Sequence, residues 1–201
     1  MPTPIIDPEL LLARGATFKQ VKKDEIIFQE GSHCCFYYQV FKGQVRWVNI
    51  NDEGKEFLQS IILDGESFGE IPLFDEGPYV STAIATEDCT ILRLSRNSFL
   101  QLIRENPDIH FSFTRMITER LRFKFMIIKE VASNGPEHCI STLFKYFKEK
   151  NKFTCSECNK VTLTRQQIAD MTGLRVETVI RAIRNLHLQG KVLIEKGKVY
   201  C

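Results

Sequence analysis

Two charged residues near the carboxyl end of the chain have the chemistry and the spacing to contact DNA bases. Glu177 and Arg181 lie four positions apart in the run RVETVIRAIRNLHLQG, so a helix would place them on one face. The carboxylate can accept a hydrogen bond from the amino group of cytosine, and the guanidinium can donate two hydrogen bonds to O6 and N7 of guanine. The alternative is an internal ion pair between the two side chains on a solvated helix.

The residues around this pair predict two short helices joined by a tight turn. Thr164 and Gln167 match a capping box, in which each side chain satisfies the other residue's backbone N–H, so a helix is expected to begin there. Ala169 is small enough to let a second helix approach, and Gly173 can adopt the left-handed conformation that ends the first helix. The pattern favours a helix-turn-helix that reads DNA over an ordinary helical hairpin. The second helix is expected to bury Leu174, Val179, Ala182, Ile183 and Leu186. The residues expected to contact DNA are Thr164, Arg165, Gln166, Arg175, Val176, Glu177, Thr178, Arg181 and Arg184.

A second group with chemical potential is the cysteine pair Cys155 and Cys158. Two thiolates separated by two residues can chelate zinc from one turn, but a structural zinc site needs four ligands and no second pair has suitable spacing. His138, Cys139 and Cys201 could complete such a site only if the fold brought them close. Inert thiols are therefore favoured over a redox-responsive dithiol, and both are favoured over a metal site. No Ser/His/Asp or paired-carboxylate pattern indicates an enzyme.

Composition predicts a globular protein of one large domain or two modest ones. The chain has 201 residues, 43% of them hydrophobic, and its seven cysteines fit reduced thiols better than a disulfide framework. The amino terminus has acidic residues where a secretory signal would need positive charge, and no run of about 18 apolar residues could span a membrane. We therefore expect a cytoplasmic protein with no membrane partner. The net charge of +2 divides into +6 for residues 136–201 and −4 for residues 1–135, so the basic part contains the predicted DNA-binding helices.

The amino-terminal half has the pattern of short strands separated by turns. After a short helix over residues 5–14, glycines that mark turns recur at Gly31, Gly43, Gly54, Gly65 and Gly77. This regular spacing predicts an all-β sandwich or barrel rather than alternating strands and helices. Residues 45–50 and 57–63 are expected to form a hairpin around a turn at residues 52–55, and the last strand is expected at residues 90–94.

Two helices are predicted next, and the second of them is long. The first covers residues 97–106 and the second covers residues 107–132, before a hinge at residues 133–136. One side of the long helix is apolar and the other is expected to be polar. The apolar positions are Ile109, Phe113, Met116 or Ile117, Arg120 or Leu121, Phe123, and Ile127 or Ile128. Because such a helix is too apolar for a linker, we expect it to pack on the β-domain and on its symmetry mate in a two-fold dimer, with burial wholly inside one chain as the alternative.

The remaining residues complete the pattern of a winged helix. A helix over residues 138–150, a hairpin over residues 153–163, the two DNA-binding helices and a hairpin over residues 191–200 closed at Lys196-Gly197 follow in order. The predicted fold class is α+β. Residues 1–106 would form a jelly-roll-like β-roll, residues 107–134 the dimerisation helix and hinge, and residues 135–201 the winged helix-turn-helix domain.

This order of elements, together with three sequence runs, resembles the Crp/Fnr family of transcription regulators. The runs are NINDEGKEFLQSIILDGESFGEIPLF in the strand-rich part, RENPDIHFSFTRMITERL at the start of the long helix and VTLTRQQIADMTGLRVETVIRAIRNLHLQGKVLIEKGKVY at the carboxyl end. The resemblance implies a β-roll of the cyclic-nucleotide-binding type that controls a homodimeric DNA-binding protein, in which Glu177 and Arg181 contact a G·C pair. RNA polymerase would be a further partner of an activator. Val176 is more like the Fnr branch and Ile180 departs from it, so the half-site sequence stays open.

The resemblance also implies an effector pocket, but its residues depart from the pattern that binds cyclic AMP. Members that bind cyclic AMP carry a Gly-Glu pair and then an Arg-Ser pair, whose arginine neutralises the cyclic phosphate and whose glutamate accepts from the ribose. Gly69 and Glu70 match the first pair, but Val80 replaces the arginine. Losing a charge-assisted contact of about 1.5 to 3 kcal/mol should make cyclic AMP a weak ligand. The pocket residues are expected to be Gly69, Glu70, Val80, Ser81, Thr82, Arg120, Lys124 and Phe125, with either an unidentified small-molecule effector or none.

Two other interpretations stay open from the sequence. In the first, the protein is a redox or metal sensor whose primary switch is Cys155 and Cys158, with DNA binding as the output. In the second, it is a β-roll ligand-binding module whose helical tail docks a protein. No cysteine precedes Cys34, so the iron–sulfur cluster of oxygen-sensing members is not expected, and no cofactor is firmly predicted.

Overall fold

The chain folds into two compact units. The computed structural model describes residues 4–201. The first unit is Met1–Thr118 and the second is Glu119–Cys201, so the division falls inside the long helix. The α+β class is confirmed, with a β-rich part, a long helix and a helix-turn-helix in the expected order. The three-part division at residues 106 and 134 stays a prediction.

Two four-stranded antiparallel sheets form the first unit, as the regular glycine spacing predicted. Its elements are α1 (Pro8–Ala13), β1 (Thr17–Val21), β2 (Ile26–Phe28), β3 (Phe36–Lys42), β4 (Val45–Ile50), β5 (Glu56–Ile62), β6 (Ser67–Phe68), α2 (Ile71–Asp75), β7 (Thr82–Ala85), β8 (Cys89–Ser95) and α3 (Arg96–Glu105). The strand orders are β1-β8-β3-β6 and β2-β7-β4-β5. Most neighbouring strands are distant in sequence, as in a β-roll, and the two sheets share one apolar core.

The β4–β5 hairpin is confirmed, with pairing that runs from Val45 opposite Ile62 to Ile50 opposite Glu56. Its turn is held by Asn51, whose side-chain oxygen accepts from the N–H of Lys55 at 2.8 Å. This contact explains why the turn closes at residues 51–55, one position wider than the predicted turn.

Helix α3 begins after Ser95, whose hydroxyl accepts from the N–H of Ser98 at 3.2 Å. It ends before Pro107, which disfavours helical geometry at the preceding residue. Pro107 then opens α4 (Pro107–Ser133), the long helix of the prediction. Within the first unit, α4 buries Phe113 against Tyr37 and Phe99, with ring centroids 5.9 Å and 5.3 Å away.

The expectation that the second side of α4 is polar was wrong. The predicted apolar side is buried or half-buried at Phe113, Met116, Phe123 and Ile127, but large apolar residues are exposed elsewhere on the helix. The exposed ones are Phe111 (64%), Leu121 (52%), Phe125 (65%), Ile128 (63%) and Val131 (46%). Helix α4 therefore has two apolar faces, and a search for one stripe at 3.6-residue spacing could not separate them.

The second unit contains, after the end of α4, the helices and strands of a winged helix. These are α5 (Pro136–Glu149), α6 (Arg165–Thr172), α7 (Val176–Leu188), β9 (Leu193–Glu195) and β10 (Lys198–Tyr200). The β9–β10 hairpin closes at Lys196-Gly197 as predicted. None of the helices in residues 4–201 combines the length and apolar character needed to cross a membrane.

The hairpin predicted over residues 153–163 is present in a short form, with a β-bridge between Thr154 and Val161. Next to this bridge, the N–H of Thr162 donates to the carbonyl of Phe153 at 2.9 Å. The residues between the two bridge partners form a helical turn, because the N–H of Asn159 donates to the carbonyl of Cys155 at 2.8 Å. Beyond the turn the chain also pairs with the wing, since the N–H of Val161 donates to the carbonyl of Val199 at 2.8 Å. The second half of this short hairpin therefore pairs both with the residues around Thr154 and with the wing.

Candidate nucleic-acid interface and effector residues

The capping box that starts α6 is present in full. The Thr164 hydroxyl accepts from the N–H of Gln167 at 3.1 Å, and the Gln167 side-chain oxygen accepts from the N–H of Thr164 at 2.8 Å. At the other end, Gly173 has a φ of 73°, which an L side chain rarely adopts. The start of α6 and the turn into α7 are thus fixed by the residues that the sequence indicated.

Helix α7 is held from one side. Its buried face consists of Val179, Ala182, Ile183 and Leu186, each at most 1% exposed. This face packs against α5 and α6, whose buried residues include Leu143 and Ile168. Leu174, also expected to be inward, is half-buried because it lies in the turn before the helix. Because the inner face of α7 is packed against α5 and α6, the direction of its outer face is fixed.

The outer face of α7 presents charge to solvent. Arg175, Glu177, Arg181 and Arg184 are all exposed, while Val176 and Thr178 are half-buried at the first turn. Within residues 4–201, Glu177 and Arg181 do not form the internal ion pair that was the alternative to DNA contact. Two charged groups with base-reading chemistry are therefore directed outward from a fixed helix.

Glu137 on α5 lies beside this face. It accepts a hydrogen bond from the side-chain amide of Asn185 at 2.7 Å. That bond, with a smaller contribution from the nearby Arg181 charge, holds the pKa of Glu137 below its ordinary value. Arg181 thus interacts weakly with the Glu137 charge and forms no close ion pair among residues 4–201, which leaves its guanidinium available.

Two residues expected to contact DNA form hydrogen bonds within the protein. The Arg165 guanidinium donates to the carbonyl of Gly197 at 3.2 Å, and burial lowers the pKa of this arginine. The Gln166 amide donates to Asp170 at 2.7 Å, one turn further along α6. Arg165 therefore ties the start of α6 to the tip of the wing, a structural role that spacing in sequence could not reveal.

The wing carries lysines that were not among the residues expected to contact DNA. Lys196 and Gly197 both have positive φ, 46° and 76°, as a two-residue hairpin turn requires. Lys196, Lys198 and the preceding Lys191 are exposed. The signal that could have identified them is the Lys-Gly-Lys turn, since a basic hairpin tip can reach the phosphate backbone.

The cysteine pair lies in the turn beside the wing. Cys155 is half-buried and Cys158 is exposed. Within the described part of the chain, no group of three or more His, Cys, Asp or Glu side chains is arranged to hold a metal ion, so the structure adds no support for the metal alternative.

In the first unit, Gly69 has a packing role of its own. Its φ is 69°, and a Cβ placed there would lie 2.7 Å from the ring of Phe28 and 3.1 Å from the ring of Tyr79. These two rings stack with centroids 3.8 Å apart. The glycine is therefore required by an aromatic stack next to the buried Glu70, whether or not a ligand binds.

The second half of the predicted cassette is held by polar contacts. Val80 is 45% exposed and its carbonyl accepts from the Asn49 amide at 2.8 Å. Ser81 and Thr82 are buried, and their hydroxyls contact the Asn49 side chain at 3.2 Å and the N–H of Glu30 at 3.0 Å, respectively. Both hydroxyls thus have partners in the protein, and the position of the expected arginine offers only methyl groups.

The three predicted pocket residues on α4 do not share one environment. Lys124 is half-buried, and this burial, with a smaller effect of the Arg120 charge, lowers its pKa to about 8. Phe125 is 65% exposed and belongs to the outward apolar face with Leu121 and Ile128. Lys124 and Phe125 are consecutive and diverge by about 100° around the helix, and their place in one effector pocket stays a prediction.

Comparison with known proteins matches both units to described families. The cyclic nucleotide-binding domain model matches residues 18–106, and the Crp-like helix-turn-helix domain model matches residues 140–200. Among solved structures, the c-di-GMP responsive global regulator CLP from Xanthomonas campestris has a TM-score of 0.75 at 18% identity, covering 96% of this chain and 98% of that chain. A CooA variant from Carboxydothermus hydrogenoformans has a TM-score of 0.77 at 17% identity, covering 100% and 92%. At these identities the likeness establishes the fold.

Sequence relatives extend the match beyond the fold. The cAMP-activated global transcriptional regulator CRP of Haemophilus influenzae is 31% identical over 179 residues, which cover 85% of this chain and 80% of that protein. Its counterpart from Pasteurella multocida is 31% identical over 205 residues, which cover 97% and 98%. The helix-turn-helix, the β-roll and this identity over the full length agree: the chain belongs to the Crp/Fnr family of transcription regulators.

Proposed function

We propose that this transcription regulator acts as a homodimer that reads a palindromic operator through α7, under the control of its β-roll. The observation that carries the proposal is the outward face of α7, where Glu177 and Arg181 are exposed, unpaired with each other and held by a fully buried inner face. A guanidinium directed at guanine and a carboxylate directed at a cytosine amino group specify a G·C pair.

The charge distribution supports binding to DNA rather than docking of a protein. Residues 136–201 carry a net charge of +6, and the exposed lysines of the wing lie in the same unit as the recognition helix. Contacts of this kind to phosphates provide affinity and register, while α7 provides the sequence preference.

The outward apolar face of α4 supports the dimer. Phe111, Leu121, Phe125 and Ile128, with Thr114, Thr118 and Ala132, follow one another at alternating intervals of three and four residues. This is the spacing of the contact residues in a coiled coil, which we call the seam. A two-fold axis at the seam would pack this face of α4 against the same face of a second copy. Two copies related in this way present two α7 helices, which read half-sites about 34 Å apart in successive major grooves.

The effector is proposed not to be cyclic AMP. The relatives above are named as cAMP-activated, but in this chain Val80 lies at the position of the phosphate-binding arginine. Gly69 packs against the rings of Phe28 and Tyr79. Isothermal titration should show no binding at micromolar cyclic AMP, and the Val80→Arg variant should bind at least about tenfold more tightly than the wild type. Micromolar or tighter binding by the wild-type protein would contradict the proposal.

Selection of bound sequences from a random pool of double-stranded DNA tests the function itself. The expected product is a palindrome with a G·C pair in each half-site, and its affinity should fall steeply as salt concentration rises. Binding with no enriched sequence, or enrichment of a single half-site at all protein concentrations, would refute the proposed two-fold reader.

A further inference from the structure

A tight turn in the second unit brings the thiols of Cys155 and Cys158 onto one side of the chain. The N–H of Asn159 donates to the carbonyl of Cys155 and completes one helical turn, on which residues three apart are neighbours. The N–H of Cys155 donates in turn to the carbonyl of Lys160 at 2.8 Å, which fixes the base of the turn. Since Cys155 is half-buried and Cys158 exposed, small solutes can reach the pair.

Hydrogen bonds at this turn favour the thiolate of Cys155. The backbone N–H of Cys158, the Cys158 thiol and the backbone N–H of Glu157 all interact with the Cys155 sulfur and hold its pKa below the ordinary value. These effects outweigh the opposing ones of burial and of the Glu157 charge. Converging amide groups at the start of a helical turn are an environment in which cysteines become reactive. Burial has the opposite effect elsewhere and raises the pKa of Cys34, Cys89, Cys139 and Cys201.

We infer that Cys155 and Cys158 form a peroxide-reactive dithiol site on the DNA-binding unit. The Cys155 thiolate attacks one oxygen of a hydroperoxide, whose O–O bond breaks; with one proton taken up, an alcohol leaves, or water when the oxidant is hydrogen peroxide, and Cys155 becomes a sulfenic acid. The Cys158 thiol then attacks that sulfur, so that the disulfide forms and water is released. The two thiols lose two electrons, the hydroperoxide gains them, and a reducing thiol reverses the reaction by exchange.

The turn is joined to both DNA-binding elements. The carbonyl of Asn159 accepts from the N–H of Cys201 at 3.1 Å, and Lys160 bridges to Tyr200 at the end of β10. Five residues after Asn159, Thr164 caps α6. A disulfide across the turn therefore stiffens the segment that contacts the wing and leads into the helix-turn-helix. Through this site the cell's redox state can act on the DNA-binding unit directly, without the β-roll.

The test is oxidation of the reduced full chain by limiting hydrogen peroxide, followed by peptide mass mapping. The first product should be an intramolecular Cys155–Cys158 disulfide that dithiothreitol reverses. In Cys158→Ser, the sulfenic acid should persist on Cys155 and be trapped by dimedone. In Cys155→Ser, oxidation of this segment should slow at least about tenfold, since the remaining thiol lacks the activating amides.

Cys35→Ser is the matched control, because Cys35 is an exposed cysteine outside the turn. This variant should form the Cys155–Cys158 disulfide at the wild-type rate. First oxidation at Cys35 or at another thiol, wild-type rates in Cys155→Ser, or a dimedone adduct in Cys158→Ser on a residue other than Cys155 would each overturn the inference.

Discussion

Truncation of one aromatic side chain on the outward face of α4 should dissociate the proposed dimer. Phe125 occupies the middle of the seam between Leu121 and Ile128, and each of the three is more than half exposed in a single chain. A side chain at the centre of a symmetric seam meets its own copy or its close neighbours across the axis, so Phe125→Ala removes the contact from both helices at once.

The exposed area gives the magnitude. An aromatic side chain has roughly 150–250 Å² to bury, so an exposure of 65% leaves roughly 100–160 Å² per chain for a partner to cover. At about 25 cal/mol per Å² the two copies contribute about 5–8 kcal/mol. Because the remaining methyl group recovers part of this and the truncated helices can settle closer, we expect a loss of about 3–5 kcal/mol, or two to three and a half powers of ten in the dimer dissociation constant.

Sedimentation equilibrium over a range of protein concentrations measures this constant. Phe41→Ala is the matched control, since Phe41 is a 48% exposed phenylalanine on β3 and lies outside the seam. It should leave the constant unchanged. A Phe125→Ala protein that dimerises as tightly as the wild type, or a wild-type protein that stays monomeric at the highest concentration, would refute the assignment of the seam.

Three further predictions concern stability. Gly69→Ala should destabilise the protein by about 1–3 kcal/mol more than Gly54→Ala in urea denaturation, because both glycines have positive φ but only Gly69 has the Phe28 ring within 3 Å of the added Cβ. Thr164→Ala should cost about 1 kcal/mol through loss of the capping box, and Thr164→Ser should retain most of it. Burial lowers the pKa of Lys124 to about 8 in the folded chain, whereas an unperturbed lysine has a pKa of about 10.4. The unfolded state therefore binds more protons between these two pH values, and stability should rise with pH across that window. Lys124→Met should therefore be more stable than the wild type at pH 7, and the difference should shrink by about pH 10.

Each of these has an outcome that would count against it. An equal loss of unfolding free energy in Gly69→Ala and Gly54→Ala would mean that the Phe28 and Tyr79 rings can move away from the added Cβ without cost. Equal stability of the two Thr164 variants would mean that the cap contributes nothing beyond the helix itself. A Lys124→Met advantage that stays constant from pH 7 to pH 10 would show that charge burial is not its cause.

Local rules predicted the parts of the fold that are determined by neighbouring residues. The capping box at Thr164, the left-handed Gly173 and the wing turn at Lys196-Gly197 each depend on contacts within a few positions, and each is confirmed. The β4–β5 hairpin belongs to the same class. The outward face of α7 could be predicted for the same reason, because one helix with one buried face fixes which side chains point outward.

Contacts between distant residues account for what the sequence did not predict. The pairing of the hairpin with the wing, through the backbone bond from the N–H of Val161 to the carbonyl of Val199, was not predicted. The guanidinium of Arg165 is engaged by the wing tip, 32 positions away. The second apolar face of α4 was missed because its seven-residue period overlaps the 3.6-residue period of the predicted apolar side. Only the solvent exposure of the side chains distinguishes Phe125 from the residues of α4 that are buried within the chain.

The most direct test of the central claim is the affinity of Arg181→Ala for the selected operator and for every single-base variant of its half-site. The claim predicts a loss of about 1–3 kcal/mol per half-site and loss of preference at one G·C position. Lys196→Ala, at the exposed wing tip, should instead weaken all sequences alike and reduce the salt dependence. If Arg181→Ala binds the operator as tightly and with the same base preferences as the wild type, α7 does not read DNA through Arg181.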